Sequence, residues 1–263
     1  MRHLVAVVTL CWALLPVGAR AQTLEEHIAL GDSLHDALLP AEALEHYRAA
    51  LVLDSTNYEA LWKFVRSQVD VAKQIKDNGP TELRDSLYEV AGRYAEAAVA
   101  ANPEGADGHF VLALALGRLS RTKGGRERVQ FGKEIYDAAA RAIELDPSHD
   151  GAEHVLGAWH AEIRRLSGIT RFLAKTLLGG GYMGRASWDS AIVHLQRAVE
   201  LRPEHIYHRV ELAEVYLDLD RFAEARHYLE PVVDLPPVTD VLDPEHKKRA
   251  AELLAEIRRR TGR

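Results

Sequence analysis

Apolar positions in this chain recur at helical spacing, and they sit inside a longer frame. Four stretches carry it: Ala98-Val99-Ala100-Ala101-Asn102-Pro103, Ala142-Ile143-Glu144-Leu145-Asp146-Pro147, Ala198-Val199-Glu200-Leu201-Arg202-Pro203 and Val232-Val233-Asp234-Leu235-Pro236-Pro237. Each reads as a helix end stopped by proline, with Ala or Val five positions before it. Ten residues after the first three prolines stand Ala113, Gly157 and Ala213, each preceded by leucine (Leu112, Leu156, Leu212). Small residues at these points let two antiparallel helices approach closely, and large neighbours fill the gaps around them.

Helix end, proline, then a Leu-small pair in the next helix is the tetratricopeptide pattern. The first repeat keeps its period, with Leu30-Gly31 on one helix, Ala43, Tyr47 and Ala50 on the next, and Ser55 in place of the terminal proline. The last full repeat, about 206–239, is also regular, and Pro203 to Pro237 is 34 residues. Pro103 to Pro147 is 44 residues and Pro147 to Pro203 is 56, so the middle repeats carry insertions between or within their helices. Breaks are expected near Asp77-Asn78-Gly79-Pro80 and Thr122-Lys123-Gly124-Gly125, and over the long stretch Arg165 to Ser187. Asp243-Pro244 opens a last helix whose Lys247, Lys248, Arg258, Arg259 and Arg260 suit an exposed cap. No window shows the alternation of a strand. The expected fold is all-α: a right-handed tetratricopeptide-like solenoid of about five helical pairs plus a C-terminal capping helix, over residues 22–263.

One segment is more particular. Leu145-Asp-Pro-Ser-His149-Asp-Gly-Ala-Glu-His154-Val-Leu-Gly157-Ala-Trp159-His160-Ala-Glu162, followed by Leu166-Ser-Gly168, Phe172-Leu-Ala174-Lys, Leu178-Gly and Ala186-Ser, resembles the regulator of microtubule dynamics family of tetratricopeptide proteins, in particular its bacterial secreted members. The likeness is sharpest over 139–203. It implies helical repeats and a protein-interaction role, and no catalytic residues.

Residues 1–21 read as a cleaved secretory signal. Arg2 and His3 precede an apolar run from Leu4 to Leu15, Pro16 and Gly18 break it, and Ala19-Arg20-Ala21 offers a cleavage site before Gln22. The run is shorter than the about 20 residues that span a bilayer. The expected location is therefore outside the cytoplasm, periplasmic or secreted. Cleavage removes Cys11, the only cysteine, and with it any thiol chemistry. It also moves the net charge from −6 to −8, which argues against nucleic acid as a partner.

The remaining motifs carry little chemistry. Gly179, Gly181 and Gly184 satisfy GxGxxG, but no strand precedes them, so a flexible loop is expected there. His149, His154 and His160 lie close together, yet the last two are six apart and cannot share a helix face. No metal or other cofactor is expected, and no enzymatic activity. The segment Ile169 to Met183 interleaves Ile169, Phe172, Leu173, Leu177 and Leu178 with Arg171, Lys175 and Thr176, as an amphipathic helix does. We expect its apolar face to fold back on the solenoid, because an exposed patch of that size invites aggregation.

Binding is placed on the concave surface, lined by the first helix of each pair. The repeat frame assigns Trp62, Arg66, Phe110, Leu114, His154, Tyr207, Val210 and Glu214 to it. The expected function is a non-enzymatic exported scaffold that binds a protein or peptide there. The alternative is a peripheral membrane or lipid-binding module using residues 169–183. Nothing in the pattern fixes an oligomeric state.

Overall fold

The structure, a computed structural model, describes residues 22–76 and 81–262. The expected signal segment and the expected break at 77–80 lie outside the described residues. Twelve α-helices make up the described part: α1 (Leu24–Asp36), α2 (Pro40–Leu53), α3 (Tyr58–Lys73), α4 (Thr81–Ala101), α5 (Ala106–Ser120), α6 (Gly125–Leu145), α7 (Asp150–Arg165), α8 (Gly168–Leu177), α9 (Trp188–Leu201), α10 (Ile206–Asp218), α11 (Phe222–Leu229) and α12 (Asp243–Thr261). Short 3-10 turns follow α8 (Gly180–Arg185) and α11 (Glu230–Val233), and no strand occurs among the described residues.

Local chemistry sets most boundaries. Thr23 and Glu26 form a reciprocal cap on α1, and Asn57, His149, Ser167 and Ser187 each accept a backbone N–H at the start of α3, α7, α8 and α9. Helices α4, α6 and α9 stop immediately before Asn102-Pro103, Asp146-Pro147 and Arg202-Pro203. The pairs are α1/α2, α3/α4, α5/α6, α7/α9 and α10/α11, with α12 packed on the last. The fold is the expected all-α, tetratricopeptide-like solenoid.

The small residues sit where helices cross. A Cβ on Gly31 would lie 2.5 Å from the Tyr47 ring. A Cβ on Gly157 would meet Leu195 Cγ at 2.6 Å, and the backbone of α9 at Leu195 N and Ala191 O at 3.0 and 3.1 Å. Because backbone cannot move aside as a side chain can, α7 and α9 keep their spacing only with glycine there. The buried core runs along the stack as adjoining clusters, from Tyr47 and Phe64 near the N-terminus to Leu229 of α11 with Leu253 and Ile257 of the capping α12.

Two elements depart from the sequence expectation. The stretch 232–237 does not close an α-helix. Helix α11 ends at Leu229, since Pro231 has no N–H to continue the ladder, and the chain passes through a 3-10 turn into a loop. That loop reaches back across the concave side to α3, where Lys73 Nζ lies 2.5 Å from Asp240 Oδ2 and 2.8 Å from Asp70 Oδ1. Asp243 caps the return, accepting from the backbone N–H of Thr239 and Asp240.

The second departure is α8. Its apolar face does not fold back. Ile169, Phe172 and Leu177 are 74%, 64% and 68% exposed, and within α8 only Ala174 is buried. The segment is held by its second half instead: Leu178, Tyr182 and Met183 pack under α6 and α7, and the Tyr182 hydroxyl donates to the Val129 carbonyl. Ala174 and the Arg171 hydrogen bonds to the Ile163 and Arg164 carbonyls hold the inner side of α8, and Ile169, Phe172 and Leu177 face outward. Among the described residues no helix is long and apolar enough to cross a membrane.

Candidate functional site: the concave groove

A cavity of about 910 Å³ follows the inner face of the solenoid from α1 to the loop before α12. Its walls are helical stripes. On α3 they are Trp62, Arg66, Val69, Asp70 and Lys73; on α5 and its C-cap, Phe110, Ala113, Leu114, Gly117, Arg118 and Arg121; on α7, His154, Val155, Ala158, Trp159 and Glu162. Steps of three and four place each set on one face of its helix.

Six of the eight residues assigned by the repeat frame line this cavity: Trp62, Arg66, Phe110, Leu114, His154 and Tyr207. The other two do not. Val210 lies in the C-terminal core with Leu195 and Leu253. Glu214 turns to the cap, where its carboxylate accepts from Arg249 on α12 at 2.7 Å. The frame treats α10 like the earlier inner helices, but α12 covers the surface that a further repeat would leave open.

The groove floor is a cluster of rings. Tyr207 lies between His154 and His246, at centroid distances of 4.6 and 4.4 Å, and His205 stacks on His208 at 4.0 Å. His208 Nε2 sits 2.9 Å from Asp150 Oδ2, and its Nδ1 sits 3.0 Å from His154 Nδ1. A carboxylate only accepts, so His208 donates from Nε2 to Asp150, and its Nδ1 faces the Nδ1 of His154. Burial raises the Asp150 carboxyl, but the His208 bond and the Arg202 charge outweigh it and hold it at about 2. Burial and the neighbouring histidines hold His154 well below its usual value, and bring His205 down to about 3. Burial and His194 bring His160 to about 4. His154, His160 and His205 are therefore neutral hydrogen-bonding groups at ordinary pH. No group of three or more His, Cys, Asp or Glu side chains among the described residues is arranged to hold a metal ion. The GxGxxG stretch holds a left-handed turn at Gly179, φ 78°, between α8 and the 3-10 turn, with a helix and not a strand before it.

Sequence spacing does not reveal the His208–Asp150 contact or the Lys73–Asp240 contact. Both join residues far apart in the chain, and no local signal marks them.

The arrangement of paired helices around this groove is shared with known proteins. The sequence profile of the family described as Regulator of microtubule dynamics protein 1-3 matches residues 28–258. The chain belongs to this family. Regulator of microtubule dynamics protein 3 of Xenopus laevis is 29% identical over 189 residues, 72% of this chain and 40% of that protein. Regulator of microtubule dynamics protein 1 of Bos taurus is 26% identical over 202 residues, 76% of this chain and 62% of that protein. The chain thus spans well under two thirds of the type 3 relatives. Among solved structures, a thermophilic TPR protein of Thermus thermophilus superposes with a TM-score of 0.63 at 22% identity, over 89% of this chain and all of that one. Pseudomonas aeruginosa pilF gives 0.51 at 15% identity, over 90% of each chain. These likenesses establish the family and the tetratricopeptide-like fold.

Proposed function

We propose that the chain is a non-enzymatic, exported scaffold that holds a protein or peptide segment in its concave groove. The observation that carries this is the continuous lining of α3, α5 and α7, with Trp62, Phe110 and Leu114 offering apolar contact beside polar side chains that can fix register. Export rests on the signal pattern of residues 1–21. The microtubule role in the relatives' names is not carried over, because an exported chain does not meet cytosolic microtubules.

Selection from a random dodecamer library on the immobilised protein tests this. Selected peptides are expected to protect amides of α3, α5 and α7 from hydrogen exchange. Phe110→Ser with Leu114→Ser is expected to weaken them at least tenfold with the helical circular dichroism unchanged. Protection confined to the outer helices α2, α4 and α6 would overturn the reading.

One observation favours a second, additional contact. The outward face of α8 presents Ile169, Phe172 and Leu177, and residues 163–188 contain five Arg or Lys and no Asp or Glu. Arg165 is neutralised by Glu162, Glu211 and Asp218, while Arg164, Arg171, Lys175 and Arg185 pair with no carboxylate among the described residues. An exposed apolar helix face with unpaired cations suits an anionic lipid surface. The protein is expected to float with phosphatidylcholine vesicles containing phosphatidylglycerol, and Phe172→Glu with Leu177→Glu to abolish this. Equal flotation of variant and wild type, or none by either, counts against it.

A further inference from the structure

The groove described above is uneven in its charges. Most of its carboxylates are engaged within the chain: Asp70 and Asp240 hold Lys73, Asp150 holds His208, Glu162 holds Arg165, Asp107 faces His149 and Asp146 accepts from Ser148, while Asp36 at the α1 end makes no ion pair among the described residues. Its arginines on α3 and α5 are not. Arg66, Arg118 and Arg121 line the cavity and make no ion pair among the described residues. This occurs in a chain with 39 acidic against 33 basic residues, where an unpaired arginine has many carboxylates to choose from.

Space and unused donors accompany the charge. A Cβ built on Gly117 would meet nothing within 4 Å, so the wall beside Arg118 is open. The Arg66 guanidinium lies 5.0 Å from the centre of the Trp62 ring, and its Nε is buried without a hydrogen-bond partner. Across the cavity the Nδ1 of His205 is likewise buried and without a partner. Arg118 is among the charges that, after burial and the neighbouring histidines, hold His154 neutral, so its field reaches from α5 across to α7. Phe110 and Leu114 stand on the same stripe of α5, one to three turns before the arginines.

We propose that the groove takes an acidic peptide segment, with carboxylates seated on Arg118 and Arg121 and an adjoining apolar side chain against Phe110 and Leu114. This rests on the groove reading and names its ligand chemistry. Guanidinium groups bind carboxylates through paired, charge-assisted hydrogen bonds, and here no internal carboxylate must be displaced first.

The library selection decides the matter, with the most enriched dodecamer resynthesised and labelled with fluorescein. Enriched sequences are expected to be rich in Asp and Glu beside an apolar residue. Affinity is expected to fall with added salt. Arg118→Gln with Arg121→Gln is expected to lower it at least tenfold and flatten the salt dependence, while Arg118→Lys with Arg121→Lys retains part of it. Peptides enriched without acidic bias, weakened by Phe110→Ser but bound by the glutamine variant within twofold of wild type, would leave the groove reading standing and overturn this inference. Failure to enrich any peptide would overturn both. If the arginine pair instead governs binding to phosphatidylglycerol vesicles and no peptide is enriched, the ligand is an anionic lipid and the proposal falls.

Discussion

Replacing Lys73 with methionine is expected to cost about 3–5 kcal/mol of stability, among the largest single-residue effects in the molecule. The Lys73 side chain is 9% exposed and stands between Asp70 and Asp240. Burial alone would lower its pKa, but the two carboxylates outweigh burial and raise it. Burial likewise pushes the Asp70 carboxyl up, and Lys73 and His35 together bring it down to about 2. Methionine keeps the length of the stem and removes the charge, so two largely buried carboxylates are left facing each other. Urea unfolding measures the loss. Adding Asp70→Asn and Asp240→Asn to Lys73→Met is expected to recover most of it, because the uncompensated charges are gone. A loss below about 1 kcal/mol in the single variant would mean that water already screens the cluster.

The second large effect is with pH. His154, His160 and His205 are held neutral in the folded chain, with His160 at about 4 and His205 at about 3. In the unfolded chain a histidine titrates near the ordinary value of about 6.5. Below that pH the unfolded state takes up protons that the folded state refuses, so stability is lost as pH falls. Each such histidine contributes a slope of up to about 1.4 kcal/mol per pH unit between its two values. Stability is therefore expected to be full above pH 7 and to fall by several kcal/mol by pH 5. The carboxylates of Asp70 and Asp150 act in the same direction but lower, from about 4 toward 2, so they do not account for a loss above pH 5. Urea midpoints from pH 7.5 to 4.5 test this. A flat profile to pH 5 would contradict the neutral assignment, and His154→Gln with His160→Gln is expected to shallow the slope.

How much of the molecule is legible in its sequence follows from distance along the chain. The prolines at 103, 147 and 203 and the Leu-small pairs mark helix ends and crossings through local sterics, and these positions carry the same roles in the structure. The groove stripes on α3, α5 and α7 follow from the same frame. The frame misplaces Val210 and Glu214 because it does not know that α12 closes the stack over α10. It cannot foresee the outward face of α8, whose periodicity is the same whether or not something covers it. The turn after α8 is anchored by Tyr182 reaching Val129, 53 residues earlier in the chain. The contact of Lys73 with Asp240 spans 167 residues, and nothing near either residue announces it.

That contact changes how the stack behaves as a whole. In a solenoid each repeat touches only its neighbours, so the ends fray independently and stability adds up one interface at a time. A tie between the second pair and the loop before the last helix joins non-neighbours. Opening the C-terminal end now strains the second pair, and the part of the array between them is pushed from piecemeal melting toward a single cooperative transition. The same tie raises the mean sequence separation of native contacts, so this cooperativity comes with slower closure during folding.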